Sequence, residues 1–92
     1  MSNLKHDKDS KRFILQLEED QKAFIEYEII DNKYYLTYSE VPTSLRGRGV
    51  GKELVEKTFE ILTEDGLKVK AICGYIKVIA MRSEKWKHII EY

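Results

Sequence analysis

Three observations predict an α+β domain. Alternating apolar and polar residues recur in three stretches joined by short polar turns. One long amphipathic helix follows, opened by glycines, and after it comes a further alternating stretch. The 92 residues allow one compact unit. A chain of that length buries roughly 60–65% of its unfolded surface, enough for a single core layer.

The first ten residues, Met1 to Ser10, are polar and read as a solvated, flexible arm, so the domain is expected over residues 11–92. From Arg12, Phe13, Leu15 and Leu17 share one face of a strand. Glu18-Glu19-Asp20-Gln21 suits a turn. Ala23, Ile25, Tyr27 and Ile29 then share a face, and Asp31-Asn32 marks a hairpin, since both residues tolerate positive φ. Tyr34, Leu36 and Tyr38 line one side of the third strand, with Tyr35, Thr37 and Ser39 opposite. Short turns make the three an antiparallel meander. Pro42 ends the pairing because it lacks an N–H.

The helix is read from Val50, Leu54, Thr58, Ile61 and Leu62, widened by Val55 and Phe59, with Gly66 as its stop. Leu67, Val69 and Ala71 alternate in a strand that the intervening helix allows to run parallel to the third. Residues 75–82 and 84–90 read as short helices. Trp86, Ile89 and Ile90 are expected to pack back on the sheet.

Composition narrows the function classes. Sixteen Lys+Arg against sixteen Asp+Glu give zero net charge, which disfavours bulk attraction to nucleic acid or anionic membrane. The single cysteine, Cys73, forms no intrachain disulfide, and His6 and His88 lie too far apart for a ligand cluster, so no metal is expected. No signal-like or membrane-length apolar run occurs, and the chain reads as soluble and cytoplasmic.

Against this neutral background, Arg46-Gly47-Arg48-Gly49-Val50-Gly51-Lys52 is a local basic turn between a strand and a helix. Glycines let the backbone approach phosphate oxygens, successive N–H groups point at them, and the helix start adds positive potential. A Walker A loop is disfavoured, because Arg46 and Glu53 stand where the first glycine and the magnesium-binding hydroxyl belong. A dinucleotide fingerprint fails in both registers, with Lys52 or Leu54 in place of its last glycine. What fits is Arg/Gln-x-x-Gly-x-Gly/Ala, at Arg46, Gly49 and Gly51.

That pattern resembles the coenzyme A pyrophosphate loop of the GNAT N-acetyltransferase superfamily. Residues Glu40 to Leu54 resemble its strand–loop–helix element throughout. Cys73-Gly74-Tyr75 and Trp86-Lys87-His88-Ile89-Ile90 are similar to segments of a short, single-domain branch, and the likeness covers about residues 12–90. The resemblance implies a minimal GNAT-like fold and an N-acetyltransferase using acetyl-CoA as acyl donor. Its loop would bind through the amides of Arg46, Gly47, Arg48, Gly49, Val50 and Gly51, with Lys52 at the helix start. Val41 would meet the pantetheine arm, and the thioester would lie near Cys73.

Cys73 then either accepts the acetyl group or lines its pocket; a buried, inert thiol is the alternative. Tyr75 would protonate the leaving thiolate, or fill the seam between sheet and helix. Tyr38-Ser39 departs from the His-Thr common in related short proteins. A phenol is a poor general base near neutral pH, which leaves Glu40 as second choice. Tyr27, Tyr34, Tyr35 and Tyr38 either line a substrate cleft or pack across strands. The chain lacks the extra elements with which larger relatives grip acceptors, so the site for a small-molecule or peptide amine is open or completed by a partner. Coenzyme A binding without efficient catalysis is the second hypothesis; a phosphate-binding nucleic-acid module is disfavoured by the neutral charge.

Overall fold

A computed structural model describes residues 3–17 and 21–92. Five strands form one sheet in chain order: β1 (Asn3–Asp7), β2 (Arg12–Gln16), β3 (Lys22–Ile30), β4 (Lys33–Glu40) and β5 (Lys68–Ala71). The first four pair antiparallel and β5 runs parallel to β4, joined to it through α1 (Val50–Glu64). Helix α2 (Gly74–Arg82) and a 3₁₀ turn (Trp86–His88) complete the chain. The mixed α+β architecture is the one the patterning predicts.

One hydrophobic face of the sheet carries the core. Phe13, Leu15, Ala23, Ile25, Leu36 and Ala71 are fully buried beneath Leu54, Val55, Phe59, Ile76 and Ala80 of the two helices. Full burial of such a side chain stabilises the fold by about 1.5–3 kcal/mol. Thr58, the one buried polar side chain among the described residues, returns its hydroxyl to the Leu54 carbonyl at 2.8 Å. Gly66, at φ +75°, ends α1 as expected, and Leu67 N–H bonds the Leu62 carbonyl at 3.0 Å. Asp31 and Asn32 both take positive φ in the β3–β4 hairpin.

The structure corrects four expectations. Residues 3–7 are not a free arm: β1 pairs along β2, Leu4 opposite Leu15 and His6 opposite Phe13, so the sheet begins at Asn3. Leu4 is the only aliphatic residue of that strand, and the polar composition concealed the pairing. Residues 84–90 form a 3₁₀ turn rather than a helix. The chain must extend again so that Glu91 can bond Ala71 N–H and the Val69 carbonyl along the outer edge of β5. Trp86 and Ile90 are buried, whereas Ile89 is 49% exposed. Tyr38 is the fourth, because a bulge in β4 places it on the outer face. The Glu18–Asp20 part of the first expected turn lies outside the described residues.

His6 shows what β1 adds. Its ring stacks on Phe13 at 4.1 Å between centroids, and its Nε2 lies 2.7 Å from the Tyr27 hydroxyl. Burial, reinforced by Lys8, depresses its pKa below the ordinary 6.5, while Asp65 and Asp7 oppose the shift. The unfolded chain therefore takes up this proton more readily, and stability rises with pH through the window beneath 6.5. Urea unfolding should give a midpoint that is level above that value and declines below it. His6→Gln should remove this part of the slope, and an unchanged slope would exclude His6 as its source.

Candidate functional site

Pro42 stops β4, and Leu45, buried at 5% exposure, anchors a short 3₁₀ turn (Thr43–Leu45) beneath the loop that follows. Gly47 (φ +83°) and Gly49 (φ +77°) then take left-handed conformations that reverse the chain into α1. Gly49 is the N-cap, and the first helical bond runs from Glu53 N–H to its carbonyl at 3.0 Å. Ahead of that bond, Gly47 to Lys52 donate no main-chain hydrogen bond among the described residues. Arg46 Nε bonds the Val41 carbonyl at 3.1 Å, tying the loop to the end of β4. Arg46, Arg48 and Lys52 form no ion pair among the described residues.

A splay in the sheet completes the cleft. β4 and β5 pair only as far as Leu36 and Ala71, where the Leu36 carbonyl receives the N–H groups of both Ile72 and Cys73 at 3.0 Å. The β3–β4 ladder continues to Phe24 and Glu40, so beyond Leu36 one edge of β4 is released. The bulge falls here. Tyr27 pairs with Leu36 but Glu26 with Tyr38, leaving Thr37 as the extra residue. Parity therefore flips. Ser39 turns inward opposite Ile25, and Tyr38, expected inward, turns outward and is 45% exposed.

The resulting cleft has a volume of about 710 Å³. It brings together Val41, Arg46, Gly47, Gly49, Val50, Gly51, Lys52, Cys73 and Tyr75, which the sequence names, but not Arg48, whose side chain is exposed outside it. Of the four tyrosines, only Tyr38 lines it; Tyr27 and Tyr34 pack together in the core with ring centroids 4.8 Å apart. Ser39 and Leu45 line the cleft as well; the sequence does not single out Leu45, and it marks Ser39 only beside Tyr38 as a departure from His-Thr. Leu45 carries no distinctive signal, and Ser39 would have required foreseeing the bulge.

Cys73 sits at the N-cap of α2, partly buried, with its sulfur 3.3 Å from Ser39 Oγ. Burial is the largest single influence and pushes the thiol up. The Ser39 hydroxyl, with the amides of Ile76, Tyr75 and Ser39, outweighs it, and the net pKa lies below the usual thiol range. Tyr75 is 48% exposed, and the hydroxyl end of its ring lies over Gly51. A Cβ at Gly51 would meet the phenol, its nearest ring carbons 2.8 and 2.9 Å away, so a larger residue there would have to displace the Tyr75 ring. Tyr38 donates to Glu40 Oε1 at 2.8 Å, and that bond holds its phenol above the ordinary value of 10.0.

Comparison with known proteins agrees with this geometry. A sequence model of the GCN5-related N-acetyl-transferase family matches residues 12–89. The chain belongs to this family. Protein NATD1 of Danio rerio is 33% identical over 76 residues, covering 80% of this chain and 69% of the relative. Its counterpart in Xenopus tropicalis is 32% identical over the same span, and the human one 30%. The solution structure of a GCN5-like protein from Staphylococcus aureus superposes with a TM-score of 0.73 at 26% identity. It covers 96% of this chain and 86% of that one. The GCN5-related family generally uses acetyl-CoA and acts on amines. No helix among the described residues is long and apolar enough to cross a membrane.

The cleft fits such a donor. Among the described residues, amides without main-chain acceptors at a helix start, with Arg46 and Lys52 lining the cleft and in no ion pair, suit a diphosphate. The released edge of β4 leaves main-chain groups free for an amide-bearing arm, and the thiol stands at its inner end.

Proposed function

We propose that this chain transfers the acetyl group of acetyl-CoA to a primary amine, small or peptidic. The observation that carries the reading is the run of undonated amides from Gly47 to Lys52 opening into the splay between β4 and β5. Those amides, with Arg46 and Lys52, hold the diphosphate. Arg48, on the outer side of the turn, contributes its amide and long-range charge. Val41 meets the pantetheine arm through its backbone, which brings the thioester toward Cys73.

Cys73 acts as acyl acceptor. Its thiolate, supported by Ser39 and the α2 amides, attacks the carbonyl carbon. The bond to the coenzyme sulfur breaks, and Tyr75 at the cleft wall supplies the proton that sulfur takes up. The neutral amine then attacks the acetyl-cysteine, the carbon–sulfur bond breaks to restore the Cys73 thiolate, and the proton lost by the nitrogen returns to the Tyr75 phenolate.

Calorimetric titration with coenzyme A should give micromolar affinity, and amide NMR shifts should cluster at residues 46–52. Free thiol should appear when acetyl-CoA and amines are supplied together. Binding without thiol release from any amine favours the second reading, a coenzyme A-binding module. Tyr38 argues for that reading, since a phenol bonded to Glu40 and held above its ordinary range takes no proton from an ammonium near neutral pH. Absence of coenzyme binding refutes both.

A further inference from the structure

The cleft draws its lining from both faces of the sheet. Ser39 and Cys73 face it from the helical side, whereas the bulge places Tyr38 and Glu40 on the opposite side of the sheet, paired with Glu26 and Phe24. Among the described residues no helix covers that outer face: Ile14, Phe24, Tyr35 and Ile72 are all partly or well exposed. Its charges are unevenly balanced. Arg12 holds Glu26 through two hydrogen bonds of 2.7 and 3.1 Å, and its guanidinium lies 4.3 Å from the Phe24 ring centroid. Among the described residues, Glu40 forms no ion pair. Its one partner among the described residues is the Tyr38 hydroxyl, at the edge of the same cleft that holds Cys73. A fixed phenol ring beside an unbalanced carboxylate is a receptor for an organic cation: the carboxylate takes N–H bonds, and the ring face adds cation–π attraction.

We propose that Glu40 and Tyr38 select the acceptor: a primary alkylammonium docks on them at the outer edge of the cleft, gives its proton to bulk water, and attacks the acyl group inside as the neutral amine. This rests on the acetyl-transfer reading above. Arg12 over Phe24 shows the same face already accommodating one cation on an aromatic ring. Because Glu26 is taken, Glu40 is the carboxylate available to a second. The matching ligand chemistry is a charged amine on a flexible alkyl chain, either a free polyamine or a lysine side chain of a peptide.

The test compares acceptors by thiol release on Glu40→Gln and the unmodified protein. Cadaverine and a short lysine peptide supply the charged amine from the two sources, and trifluoroethylamine supplies an amine uncharged at neutral pH. KM for the charged acceptors should rise about tenfold, as expected for one lost charge-assisted hydrogen bond, with kcat little changed. KM for trifluoroethylamine should not move, and the lower KM between cadaverine and peptide identifies the source. Equal effects on charged and neutral amines, or none on either, overturn the proposal. Independently, cadaverine added to the coenzyme-loaded protein should shift the amides of Tyr38, Ser39 and Glu40, and stationary signals there overturn it. Glu40→Gln should keep its coenzyme A affinity; a loss would put Glu40 in the donor site instead. Failure of the donor reading is recognised separately, by stationary signals at Gly47 to Lys52 when coenzyme A is added.

Discussion

Gly49→Glu is expected to weaken coenzyme A binding about a thousandfold while leaving the fold intact. Two costs add. Gly49 adopts φ +77°, where a side chain costs about 1–2 kcal/mol. That cost falls on stability, and nothing lies within 4 Å of a Cβ placed there, so no collision adds to it. The carboxylate, however, would stand among the free amides that the diphosphate is to occupy. Two like charges about 4 Å apart repel by about 4 kcal/mol at the effective dielectric of a protein surface, and each 1.4 kcal/mol is tenfold in affinity. Gly49→Ala separates the terms, because it carries the same backbone strain without the charge. Calorimetry should find Gly49→Ala binding within a few-fold of the unmodified protein and Gly49→Glu not measurably binding. Equal affinities would remove the diphosphate from this loop.

The legibility of this fold differed element by element, for physical reasons. The strands around Phe13, Ile25, Leu36 and Val69 were readable because each buries one face against helices, and period two is what burial of one face imposes. Helix α1 was readable from its wide apolar stripe and from the glycines that open and close it. β1 was not, because an edge strand of His, Asp and Lys carries little apolar signal, and His6 gains its burial by stacking on Phe13 rather than by hydrophobicity. The final helix failed because a competing interaction, Glu91 along the edge of β5, decides the path of the chain after Trp86.

The cleft was legible where chemistry is local in sequence. Gly47, Gly49 and Gly51 stand within five residues, and a glycine-rich turn before a helix has few uses. It was illegible where one inserted residue changes parity. Thr37 has no sequence mark of a bulge, yet it decides that Ser39 rather than Tyr38 faces Cys73. The Tyr38-Ser39 pair therefore reads differently in three dimensions. Tyr38, expected on the inner face, points outward at the edge of the cleft, and the neighbouring serine supplies the hydrogen bond to the thiol.

That bond gives the second large effect. Cys73→Ala should lower acetyl transfer at least ~10²-fold, the scale of losing a positioned reactive group, while coenzyme A affinity is retained because Cys73 lies away from the loop amides. Without an amine, the unmodified protein incubated with acetyl-CoA should gain one acetyl mass on the peptide containing Cys73, and Cys73→Ala should gain none. The electrostatics supply an independent check. Only the thiolate is alkylated by iodoacetamide, so rate against pH should inflect below the ordinary thiol value of 9.0. Ser39→Ala deletes the hydroxyl that favours the thiolate, so its inflection should move to higher pH, and acetylation at a fixed neutral pH should slow in step. If Cys73→Ala turned over amines at the unmodified rate, the acetyl group would pass to the amine directly. Cys73 would then be the small side chain closing the inner end of the pocket, and the Ser39 contact would bear on packing alone.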